Sequence, residues 1–97
     1  MASFQQQGNI GAVHGRLDQA AVINLWHNRQ GLLTSETTLL NLADVEYCDS
    51  AGVAFLFELV NIFAKNERSL QLVSASEQLK KLIILYDLKD FFTEEAQ

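Results

Sequence analysis

Two short apolar segments, Thr37–Leu42 and Leu70–Ser74, are separated by a long helical pattern running from Ala51 to Asn66. This spacing constrains the fold more than any other feature of the chain. Strands joined through a helix cannot form a tight hairpin. They must lie mostly parallel, with right-handed crossovers, in a sheet that helices cover.

The flanking segments complete the pattern. Ser3–Gln7 and Ile10–His14 flank Gly8-Asn9, a pair that tolerates positive φ and predicts a hairpin with a two-residue turn. Asp18 is a candidate N-cap for a helix from Gln19 to Gln30, with Gly31 as its stop. Thr37–Leu42 alternates little and predicts a strand buried on both faces. Asp44–Cys48 reads as a short link with an extended end. Ser76-Glu77 opens a third helix that runs to about Leu85. Beyond Asp87, Leu88, Phe91 and Phe92 are expected to pack back on the core, ahead of acidic Glu94-Glu95. The expected class is α/β, a small mixed sheet of four to five strands with helices packed on it. Residues 1–97 form one domain.

Charge narrows the function. Seven Lys and Arg against twelve Asp and Glu give a net charge of −5, which argues against nucleic-acid binding and against an anionic membrane surface. The most apolar stretch, Val53 to Ala64, is broken by Glu58 and Asn61 and is far short of the roughly 20 residues a membrane span needs. Cys48 is the lone cysteine, so no internal disulfide can form, which fits a reducing compartment. The amino terminus lacks the basic start and apolar core of a secretory signal. A cytoplasmic protein is expected.

The motif Asp49-Ser50-Ala51-Gly52 stands where an apolar segment gives way to the second helix. Asp49 is a candidate cap, and Ala51-Gly52 keep bulk low around Ser50. A helix start carries unpaired N–H groups and a partial positive charge. Ser50 is therefore a cap, a phosphorylation site or a docking point.

At 100° per residue, Val53, Leu56, Phe57, Val60, Phe63 and Ala64 fall on one stripe of the second helix, the expected core face. Phe55 and Ile62 fall on roughly the opposite side, which points to a partner. In the first helix Ala21, Val22, Leu25 and Leu32 form the stripe, with Trp26 at its edge and Ile23 beyond it. Trp26 is the one tryptophan. It is open to two readings, core residue or interface anchor.

Catalytic constellations are not visible. His14 and His27 have no cysteine or carboxylate at metal-ligand spacing. The glycines do not form a phosphate loop. Asp44, Glu46 and Asp49 lack a nucleophilic or basic partner, and Ser50 lacks a histidine base. Cys48 is expected to be a buried structural thiol. No cofactor and no metal are expected.

The order of elements, with Asp-Ser-Ala-Gly between a strand and the second helix, resembles the STAS domain over nearly the whole chain. This is the fold of anti-sigma-factor antagonists, of anion-transporter tails and of a subunit of phospholipid ABC transporters. Gly15-Arg16-Leu17-Asp18-Gln19, then Leu25-Trp26, then Arg29, looks like the start of the STAS subunit of the Mla-type transporter, which maintains outer-membrane lipid asymmetry in Gram-negative bacteria. Arg16 departs from the acidic residue usual there, and Ser50 stands where that branch often has Thr.

The resemblance implies a non-catalytic cytoplasmic subunit that binds and supports the ATPase subunit. The permease would be in the same complex, and that complex would hold the protein at the inner membrane without membrane insertion. Trp26, Ser50, Ala51, Gly52 and Phe55 would form the contact. The antagonist branch implies the alternative, a regulator switched by phosphorylation of Ser50.

Overall fold

The computed structural model describes residues 2–86 and the backbone of residues 92–93. Leu88 and Phe91, and the side chain of Phe92, expected on the core, lie outside the described residues. Strands β1 (Ser3–Gln7) and β2 (Ile10–Leu17) form an antiparallel hairpin. Gly8, in the turn, has φ +61°, a conformation that glycine adopts without steric cost. Helix α1 (Gln19–Leu25) continues as a 3-10 segment, Trp26–Gly31. Then come β3 (Leu39–Cys48), α2 (Ser50–Lys65), β4 (Gln71–Val73), α3 (Glu77–Leu85) and β5 (Phe92–Thr93).

The five strands are ordered β1-β2-β3-β4-β5, and every pair after the hairpin is parallel. This is the mixed sheet expected from the alternation of strands and helices. A sequential order with right-handed crossovers puts α1, α2 and α3 on one face. Burial agrees: along β3, Leu40 and Leu42 are buried, whereas Leu39 and Asn41 are only partly so. The expectation of a strand covered on both faces is thereby corrected. One core joins the strands to the helices through Val13, Leu17, Leu40, Leu42, Leu56, Leu59, Leu79 and Ile83.

The stretch expected to be a link, Asp44–Cys48, is the second half of β3. Its pairing with β2 slips twice, between Ala12 and His14 and between Gly15 and Arg16. Each slip adds a residue to β3, so its buried positions fall at Leu40, Leu42, Val45 and Cys48 rather than at every second residue. The bulges erase the period-two signal by which a strand is recognised.

Helix α2 also differs from its expected orientation. Its buried residues are Gly52, Val53, Phe55, Leu56, Leu59, Val60 and Phe63. Phe57 is 42% exposed, whereas Phe55, expected outside, is fully buried. The buried residues recur at spacings of three and four, and the arc they form includes Phe55. Phe55 sits edge-on to Phe4 of β1, ring centroids 6.3 Å apart, and lies 6.2 Å from Trp26. The sheet buries one arc of α2, and α1 with the 3-10 segment extends that arc sideways. The expected stripe left out Leu59, which is buried between Phe55 and Phe63, and so was centred too far toward Phe57.

Candidate functional site: the shared helix corner and the Trp26 surface

Helices that follow parallel strands begin at the carboxyl ends of those strands. Here the ends of β2 and β3 lie side by side, with Leu17 paired to Cys48. Asp18 and Asp49 follow directly, each in extended backbone, and each caps its helix. Asp18 accepts from the Ala21 N–H at 3.0 Å, and Asp49 accepts from the Gly52 N–H at 2.9 Å. The second oxygen of Asp49 accepts from the Gln19 N–H at 3.1 Å. One carboxylate therefore holds the starts of both α1 and α2. The Ala21 N–H lowers the Asp18 pKa most, and Arg16, 3.4 Å away, adds to the effect.

Gly52 explains how close this corner is. A Cβ there would collide with the Leu17 carbonyl oxygen and would come within 2.6 Å of the Cys48 sulfur. Any side chain would push α2 off the ends of β2 and β3. Gln78 of α3 closes the corner by donating to the Cys48 carbonyl at 2.9 Å. Cys48 is fully buried, and burial, with the charge of Asp49 adding, pushes its thiol pKa up to about 12. Such a thiol stays protonated and is a poor nucleophile.

Among the residues expected to meet a partner, the structure separates two groups. Ser50, the first residue of α2, is exposed, and Trp26 is 40% exposed. Ala51 is half-buried. Gly52 and Phe55 are buried and support the surface from beneath. Phe55 as a direct contact is thus corrected: it is the floor on which Trp26 rests. Of the two readings of Trp26, the core reading holds in part: its ring packs on Phe55 and is still 40% exposed.

Two further features flank Trp26, and the first agrees with the placing of Ile23 off the core stripe. Ile23, one turn before Trp26, is 63% exposed, an apolar residue larger than solvent exposure favours. Arg29 lies over the Trp26 ring, 4.2 Å from its centroid, and pairs with Glu58 at 2.9 Å. The spacing Trp-x-x-Arg places the guanidinium one turn from the indole, so that half was available to sequence reasoning. The Glu58 half depends on packing between elements and was not.

This corner carries no nucleophile–base pair among the described residues. It is a braced junction bearing an exposed hydroxyl, and an exposed indole stands at the other end of α1. The family model described as Mlab, STAS domain, matches residues 3–94, which include every residue of this junction. The chain belongs to the MlaB STAS family.

Curated MlaB proteins agree over most of their length. The Escherichia coli K12 intermembrane phospholipid transport system binding protein MlaB is 29% identical over 86 residues, covering 89% of this chain and 88% of that protein. MlaB of Haemophilus influenzae is 31% identical over 83 residues, covering 79% and 78%. Solved STAS folds superpose at lower identity. The phosphorylated Bacillus cell fate determinant SpoIIAA matches with TM-score 0.68 at 20% identity, covering 99% of this chain and 95% of that one. Unphosphorylated SpoIIAA, an anti-sigma factor antagonist, matches with TM-score 0.66 at 17% identity, covering 97% and 88%. These last similarities establish the STAS fold of this MlaB family member.

Proposed function

We propose that this MlaB family protein is a non-catalytic subunit of a phospholipid ABC transporter that maintains outer-membrane lipid asymmetry. It docks on the cytoplasmic ATPase subunit and supports its activity, and the permease belongs to the same complex. The observation that carries this reading is the match to MlaB proteins of phospholipid transport systems across nearly the whole chain. Its place is cytoplasmic, held at the inner membrane through the complex. In support, no helix among the described residues is long and apolar enough to cross a membrane.

The contact is Ser50 at the junction and Trp26, with Ala51 at its margin. Partly exposed tryptophan contributes large area at small entropic cost, which is why it is enriched among interface anchors. Ser50 offers an exposed hydroxyl at the start of the neighbouring helix, α2. Gly52, Phe55 and Asp49 set the geometry beneath.

The exposed Ser50 at a helix start also supports a second reading, an anti-sigma-factor antagonist switched by phosphorylation. The electrostatics of the corner weigh against it. Asp49 already fills the helix-start acceptor role with its own carboxylate, at Gly52 and at Gln19. A phosphate of about −1.5 to −2 charges on the next residue would meet that carboxylate.

Affinity purification of the tagged full chain from membranes, followed by mass spectrometry, tests the two. Recovery of a transporter ATPase and permease supports the transport reading. Recovery of a kinase or sigma-factor regulator, without transporter subunits, would replace it.

A further inference from the structure

We infer that Arg29 and Glu58 form a clamp that fixes the indole of Trp26 in one orientation, so that the surface presents a preformed anchor. Arg29 uses three faces of its side chain at once. Its guanidinium lies over the indole at 4.2 Å, its Nη1 donates to the Trp26 carbonyl at 2.8 Å, and its Nε donates to Glu58 at 2.9 Å. The pair is mostly sheltered, with side chains 26% and 24% exposed, so solvent competes weakly for it. Phe55, packed against the indole at 6.2 Å, backs the ring.

The arrangement bridges two elements. Trp26 and Arg29 belong to the short 3-10 segment, which has poor intrinsic stability. Glu58 belongs to the middle of α2. An indole on an untethered 3-10 turn would sample rotamers on the picosecond-to-nanosecond scale. Tied through Arg29 to α2, it samples one, and a partner then meets an anchor whose ordering cost is already met. A simple tether for the segment would need only a charge at position 29. The observed geometry uses the planar fork and the flat face of arginine, which lysine lacks.

The test uses the full chain, with Trp26 as its one fluorophore of this type. Acrylamide quenching and time-resolved anisotropy are measured on wild type, Arg29→Met, Glu58→Gln and Arg29→Lys. Loss of either partner should raise the quenching constant roughly twofold and add a subnanosecond anisotropy component. Arg29→Lys should keep the thermal midpoint near wild type and still leave the indole loose. Wild-type quenching and anisotropy in folded Glu58→Gln and Arg29→Lys would overturn the clamp, whether or not Arg29→Met folds.

The consequence for docking rests on the transporter reading. Copurification with the ATPase subunit separates the two ideas. If Trp26→Ala docks like wild type, Trp26 is no anchor, and fluorescence alone decides the clamp. If Trp26→Ala fails while the loosened variants dock like wild type, the clamp holds the ring but preorganises nothing, and the inference as an anchoring device is overturned.

Discussion

The carboxylate of Asp49 receives the backbone N–H of Gln19 at 3.1 Å, across from its own helix. Together with the Gly52 N–H, this makes one side chain the cap of α2 and a brace for α1. A single cap bond is worth about 1 kcal/mol, so Asp49→Ala should cost about 2 kcal/mol, read as a lowered urea midpoint. Asp49→Asn keeps one acceptor oxygen and should recover about half of that loss.

Asp18 gives this corner an acid limit. The Ala21 N–H, with Arg16, holds its carboxyl below the usual range, so the folded chain keeps this proton off longer than the unfolded chain. The contribution is present above the unfolded carboxylate value and is lost as pH falls through the folded one. The stability difference between wild type and Asp18→Ala should therefore shrink on acidification, followed by urea melts at stepped pH.

Phe55 and Ile23 should behave in opposite ways. Phe55 is fully buried against Phe4 and Trp26, so Phe55→Ala should cost about 3–5 kcal/mol. Ile23 is 63% exposed, so Ile23→Ser should stay within about 0.5 kcal/mol. Denaturant unfolding of the two variants checks that Phe55 of α2 is core and that Ile23 of α1 is surface.

Which parts of this were legible in the sequence follows from which signals are local. Caps at Asp18, Asp49 and Ser76 were readable because each depends only on residues within three positions. The parallel sheet was readable from the helices between the strands. The second half of β3 was not, because two bulges break its alternation. Phe55 was misplaced because the expected stripe left out Leu59 and was centred toward Phe57; Gly52, Phe55, Leu56, Leu59, Val60 and Phe63 recur at spacings of three and four and form one arc. The exposed Ser50 and Trp26 were found by residue type, but their common support, Asp49 to Gln19 and Arg29 to Glu58, joins positions about thirty residues apart and leaves no local trace.

Cys48 predicts an alkaline limit. Burial raises its thiol from an ordinary value of 9.0 to about 12, so the unfolded chain releases this proton first as pH rises. Stability should fall across that window, and the fall should be shallower in Cys48→Ala. In the native state at neutral pH, alkylation of the thiol should be slow and should become fast only on unfolding.

The central claim is that Ser50 and Trp26 form the docking surface for a transporter ATPase. Its most direct test is copurification of the tagged ATPase subunit with wild type, Ser50→Glu and Trp26→Ala, each shown to be folded by circular dichroism. The account predicts that the charge placed at the braced corner and the loss of the indole each reduce recovery at least about tenfold, the scale of an interface hot spot. Recovery equal to wild type for both folded variants would contradict it.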